Sequence, residues 1–369
     1  MTLSIGQARP LWRWLSNALR STHFFRLKSS STARDVSLDV LRGIGITAVI
    51  FYHGWMLAVD GEGVTSFKLE VSSLYSTFVQ FLAPLRMPTM VFLAGWLADV
   101  GLRKYPKVAF IANKQERLLY PLVIWSLVYG VLKSNPLTGS TPGEFWQSVF
   151  FPTNHLWYLQ YMCAYFLILT LFSNQKALLL GTALVAFVIA KVADTSDYNR
   201  FLYLLVFFVL GAMAPARIIS VVMNASVLKK VLIIGTTFAG VLLLMDMTKS
   251  KYELETLPIS VMGLIGLYST ASLICAKSAM LTLFFRYAGN ISLEMYVLHW
   301  LFVKVGMIIF AGKLNITHGD TVSFLTFVFA LVGSIVATEA LHFAGARYLF
   351  KSPVRIPVPA RETAAGPAE

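Results

Sequence analysis

Leu38-Asp39-Val40-Leu41-Arg42-Gly43-Ile44-Gly45 opens a run that passes through Phe51-Tyr52-His53-Gly54-Trp55 and stays largely apolar to residue 59. A stretch of about twenty such residues is what an α-helix needs to cross the hydrocarbon core of a bilayer. Runs of the same kind recur near 75–98, 118–132, 155–172, 177–192, 201–214, 231–247, 257–275, 290–310 and 321–343. The sequence therefore predicts an all-α polytopic membrane protein with about ten transmembrane helices. The third, fifth and sixth runs are short, so those helices either tilt little or extend into their loops.

Composition points the same way. Of 369 residues, 57% are hydrophobic and only 13% charged, against about a quarter charged in soluble domains. Mean hydropathy is +0.67. A soluble enzyme, a disordered chain, a fibrous protein and a disulfide-stapled fold are all excluded, and the short alternating strands of an outer-membrane barrel are not seen. The two cysteines, Cys163 and Cys275, lie in apolar runs as small hydrophobes with no metal-ligand spacing.

The net charge of +13 is spread among alternate loops rather than gathered into one basic domain, which argues against nucleic acid as a partner. With the N-terminus in the cytoplasm, the inside segments 1–39, 99–117, 173–177, 215–230, 276–289 and 344–369 hold 21 Lys and Arg, and the outside segments 60–74, 133–154, 191–200, 248–256 and 311–320 hold 7. Such a bias orients the chain by the positive-inside rule, with both termini cytoplasmic.

Three regions follow. Residues 1–34 are basic, free of acid and rich in Ser and Thr, with Leu11, Leu15 and Leu19 at helical spacing beside Trp12 and Trp14. This reads as a cytoplasmic interfacial helix followed by a linker at Ser29-Ser30-Ser31-Thr32. Residues 35–345 form the membrane domain, and 346–369 a Pro-rich cytoplasmic tail. An internal repeat of the kind that builds inverted-repeat transporters is not seen.

Ionisable groups inside spans cost a few kcal/mol at mid-membrane, so each needs a partner or a function. Arg42 and His53 are eleven residues apart, about 20° from whole helical turns, and lie on one stripe separated by about 16 Å. Arg42 alone reads either as a site residue or as a structural charge, a snorkelling anchor or an ion pair with Asp39, and His53 alone as a site residue or a helix–helix hydrogen bond. Together they mark a candidate site. Arg86 lies between Pro84 and Pro88, whose freed backbone carbonyls must face protein or a wet cavity. It reads either as a site for an anionic substrate group or as the partner of those carbonyls.

Lys114 and Arg117, three apart at the start of a span, are candidate phosphate ligands or ordinary flanking charge. His155 and Trp157 open the fourth span and fit either an interfacial belt or a sugar contact. In the ninth span Ser292 and His299 share a face. Glu294 is about 140° away from His299 and needs its own partner, with Arg42 or Arg286 as candidates. Glu339 and His342 read as structural.

These residues resemble the acyltransferase-3 family of integral membrane acyltransferases, and within it the branch similar to bacterial fucose 4-O-acetylases. The resemblance rests on Leu38-Asp39-Val40-Leu41-Arg42-Gly43 with His53, on Met87-Pro88 through Leu93-Ala94-Gly95, on His155-Leu156-Trp157-Tyr158-Leu159, and on Gly289-Asn290-Ile291-Ser292 through Tyr296-Val297-Leu298-His299. They fall in order across nearly the whole chain. Two positions depart from the pattern. Lys114 stands where the family often has Arg, a point charge in place of a bidentate fork, and Ala94-Gly95 stands where Ser-Gly is usual.

The resemblance implies a membrane O-acyltransferase that moves an acyl group, acetyl by expectation, from cytoplasmic acyl-CoA to a hydroxyl of a cell-envelope carbohydrate. No permanently bound cofactor and no metal are expected. The partners are acyl-CoA, a carbohydrate acceptor and the lipid bilayer of a bacterial cytoplasmic membrane, with the oligomeric state left open. His53 would be the general base and Arg42 would act beside it. Arg42, Lys114 and Arg117 would hold the donor's phosphates, and Arg86, His155, Trp157, Glu294 and His299 would contact substrate. The competing class is a secondary transporter or exporter that uses the same buried charges as substrate and proton sites.

Overall fold

The computed structural model describes residues 36–60, 68–133, 146, 155–192, 196–214, 221–222, 224–245 and 252–353. The expected interfacial helix over 1–34 and the tail beyond 353 lie outside them. The helices are α1 (Val36–Asp60), α2 (Ser73–Lys104), α3 (Lys107–Lys133), α4 (Trp157–Leu171), α5 (Lys176–Val192), α6 (Ser196–Met213), α7 (Val227–Met245), α8 (Thr256–Lys277), α9 (Ala279–Asn290), α10 (Ser292–Met307) and α11 (Gly319–Phe343). A π-helical turn, Ile308–Lys313, continues α10, and a 3-10 turn, Ala346–Leu349, follows α11. Among the described residues there is no strand.

Each of the ten apolar runs falls on one of these helices. Six helices among the described residues are long and apolar enough to cross a membrane: α1, α2, α7, α8, α10 with its π turn, and α11. The other four runs lie on α3 to α6. There α4 and α5 have 15 and 17 residues, α3 carries charges in its first half, and α6 opens on polar residues. The short third run is part of a longer helix: α3 begins at Lys107, because Lys, Glu and Gln are good helix formers that an apolar count stops at. Residues 276–289, counted as an inside connection, hold α9, which Ser278 caps by accepting a hydrogen bond from the Leu281 N–H.

The chain divides into two compact units, Met1–Leu82 with Thr270–Arg347, and Ala83–Ser269 with Tyr348–Glu369. In the first unit α11 is patterned inside out. Val322, Thr326, Ala330, Ser334, Thr338 and His342, each four residues on, are buried, while Phe324, Val328, Val332 and Val336 are exposed. A small and polar face turned inward with an apolar face outward suits lipid as solvent. The Ser334 and Thr338 hydroxyls donate back to the carbonyls four residues earlier, which satisfies them locally.

Helices α1 and α9 cross at glycines. A Cβ on Gly43 would stand 1.9 Å from the Phe285 carbonyl oxygen, and one on Gly289 1.9 Å from that of Asp39. The backbones touch because neither position carries a side chain.

The second unit repeats that device. Gly95 of α2 and Gly211 of α6 meet the carbonyls of Phe208 and Phe92, where a Cβ would stand 1.9 and 2.0 Å away. Pro88 has no N–H to give the Pro84 carbonyl. The Ser260 hydroxyl of α8 donates to that carbonyl at 2.6 Å and shares a hydrogen bond with the Tyr203 hydroxyl of α6 at 2.8 Å. The carbonyl that α2 frees is thus met by protein. Helix α3 packs on α4 through Phe110 and Phe166 and through Gln115, which donates to the Cys163 carbonyl.

Candidate active site

In the first unit α1 carries Arg42 and His53 on one stripe, and α10 brings His299 against the second of them. The His299 and His53 rings lie 5.0 Å apart between centroids, with Nε2 of His299 3.0 Å from Nδ1 of His53. Nδ1 of His299 lies 3.1 Å from the Met295 carbonyl one turn back. A carbonyl only accepts, so Nδ1 of His299 carries a proton and, in the neutral ring, Nε2 accepts. Nδ1–H of His53 then donates to it, and Nε2 of His53 is the nitrogen that bears a lone pair. Trp300 sets its ring edge-on to His53 at 5.2 Å between centroids. His299 is fully buried and His53 half-buried, so the outer ring of the pair is the accessible one.

Arg42 lies one turn from Asp39, with Nη1 3.7 Å from the buried carboxylate. The same end of the unit gathers further ionisable groups. Glu294 faces His342 of α11, Oε1 to Nε2 3.8 Å, an ion pair whenever the ring is protonated. The Tyr287 hydroxyl of α9 donates to Glu339. Burial, then the hydrogen bond and charge of Glu339, push that phenol well above the ordinary tyrosine range, so it remains a donor. Glu294 and His299, on different sides of α10, thus engage different neighbours, α11 and α1.

The other candidates belong to the second unit. Arg86 is buried on α2. Lys114 is half-buried, with its ammonium 4.7 Å from the Phe166 ring centroid and 5.5 Å from that of Phe110, whereas Arg117 one turn on is exposed. His155 is buried edge-on against Tyr129 at 4.9 Å between centroids. Trp157 is half-buried, with the Arg200 guanidinium stacked 4.3 Å from its ring centroid. That cation occupies one aromatic face.

Sequence reading placed His299 among the substrate contacts and did not pair it with His53, which is 246 residues away. It also missed His342 as the neighbour of Glu294, and Arg200. The histidines and carboxylate offered a signal, being ionisable groups within apolar runs; their partners depend on tertiary packing.

Neither the curated proteins nor the solved structures offer a match to this chain. A family model described as an acyltransferase domain, that of acyltransferase-3, matches residues 35–341. The match takes in α1 through nearly all of α11, including both histidines of the pair, and the chain belongs to the acyltransferase-3 family: it is a multi-pass membrane acyltransferase, transferring acyl groups other than amino-acyl groups.

Proposed function

We propose that the protein is an O-acyltransferase that moves an acetyl group from acyl-CoA on the cytoplasmic side to a hydroxyl of a cell-envelope carbohydrate. The reading includes a membrane domain of ten spans over 35–345, cytoplasmic termini, and residence in a bacterial cytoplasmic membrane. The observation that carries it is the His53–His299 pair, whose hydrogen bonds orient a lone pair on the accessible ring.

A sugar hydroxyl is a poor nucleophile at neutral pH and needs a general base. Nε2 of His53 takes the hydroxyl proton as the oxygen attacks the thioester carbonyl. The carbon–sulfur bond then breaks, and the same proton passes to the departing thiolate. His299 positions the base, so of the expected substrate contacts it becomes a positioning residue. Arg42 holds the donor's phosphates, while Lys114 and Arg117 are candidate phosphate ligands on the second unit. The rise of about 16 Å from Arg42 to His53 along α1 is comparable to the reach of the donor's pantetheine arm. Glu294 is assigned to the acceptor in the first unit, and Arg86, His155 and Trp157 are candidate acceptor contacts on the second.

Inside-out membrane vesicles loaded with host glycan test the reaction. Acetyl-labelled acetyl-CoA added outside is expected to leave label as a base-labile ester on the enclosed glycan and free CoA outside. Uptake of an unmodified solute driven by an ion gradient, with no ester formed, would overturn the proposal in favour of transport.

A further inference from the structure

A pocket of about 280 Å³ in the second unit lies where α2 ends and α3 and α5 begin. Its lining includes Asp99, Arg103, Lys107, Ser173, Asn174 and Lys176, and it uses none of the residues assigned above to donor or acceptor. The three cations lie at the end of α2 and at the starts of α3 and α5, and two of them, Arg103 and Lys176, engage Asp99. Asp99 accepts from Arg103 Nε at 2.8 Å and from the Lys176 ammonium, so its charge is already met and the pocket retains a positive excess.

Two helices open at this pocket. Lys107 begins α3 and Lys176 begins α5, and their first backbone N–H groups have no carbonyl within the helix to bond. Ser173 adds a buried hydroxyl with no hydrogen-bond partner among the described residues. Cations on three helix ends, two helix N-termini and a spare hydroxyl donor suit a tetrahedral dianion, which accepts from several donors.

We propose that this pocket binds a phosphate group, either as a soluble phosphate compound or as an anionic lipid headgroup. A carboxylate, with two oxygens in one plane, would leave part of the donor set unmet. The assignment stands apart from the acyl-transfer reading, since binding and not turnover tests it.

The test uses the full-length protein in phosphatidylcholine nanodiscs. Equilibrium dialysis measures labelled inorganic phosphate, and native mass spectrometry measures phosphatidylglycerol retained after exchange. The variant is Arg103→Gln with Lys107→Gln. Both side chains are exposed, so the fold is not at stake, and Lys229→Gln, exposed elsewhere in the unit, is the control. Loss of two charge-assisted contacts at a partly exposed site is expected to weaken binding by about tenfold. A fall in phosphate affinity assigns the pocket to a soluble phosphate, and a loss of retained phosphatidylglycerol assigns it to a headgroup. If the double variant matches the control in both measurements, the proposal is wrong.

Discussion

His299 touches His53 through one hydrogen bond, so replacing it should separate positioning from packing. In His299→Ala the Nδ1–H of His53 loses its acceptor, and kcat is expected to fall about a hundredfold, the scale of misplacing a catalytic group by about 1 Å. KM for the acyl donor should stay nearly constant. His299→Gln keeps a carbonyl oxygen as acceptor and should recover part of the rate. Steady-state kinetics on matched amounts of folded protein check this, and equal losses in both variants would show that restoring an acceptor does not matter, against the positioning role. Arg42→Ala makes the opposite prediction. It should raise KM for the donor, and an unchanged donor affinity with abolished turnover would place Arg42 in the chemistry. At Ser260 the role is structural. Ser260→Ala removes the donor to the Pro84 carbonyl and should cost about 1–3 kcal/mol, the penalty for an unmet buried group, read from the thermal unfolding midpoint in detergent.

At the scale of helices, the glycines divide into two kinds. Gly43 and Gly289 lie where a Cβ would stand 1.9 Å from a neighbouring backbone oxygen, whereas Gly181 and Gly235 have nothing within 4 Å. Gly43→Ala or Gly289→Ala must push α1 and α9 apart and should destabilise by about 1–3 kcal/mol or more. Gly181→Ala and Gly235→Ala should be neutral or stabilise by up to about 1 kcal/mol through helix propensity. Thermal unfolding of the four variants checks the contrast. The same crossing shows what the sequence disclosed. The apolar runs were legible because lipid demands long apolar segments, and every one falls on a helix. The amphipathic α9 was not: at 12 residues it is too short to span, and its docking depends on Gly289 meeting Asp39 of α1, far earlier in the chain. Likewise α3 runs eleven residues further back than its apolar part, because hydropathy reports what faces lipid rather than where a helix begins.

Over the whole molecule, the candidate site was legible as a set of residue types and not as a set of neighbours. Arg42 and His53 were placed on one stripe because a single helix fixes their relation. The His53–His299 and Glu294–His342 pairs join separate helices, and no spacing rule encodes them. The proposed orientation rests on charge bias, so it too has a direct consequence. A cysteine at Glu70 should react with a membrane-impermeant maleimide in intact cells, and one at Lys277 only after permeabilisation. Both positions are exposed. The reverse pattern would invert the topology.

The central claim is that His53 activates a carbohydrate hydroxyl for acyl transfer. Mass spectrometry of ester-linked acyl groups on the host's surface glycans tests it most directly, in a deletion strain complemented with wild type or with His53→Ala at matched membrane levels. The account predicts that one acyl mass disappears on deletion, returns with wild type and does not return with His53→Ala. Equal restoration by both would contradict it and remove His53 as the base.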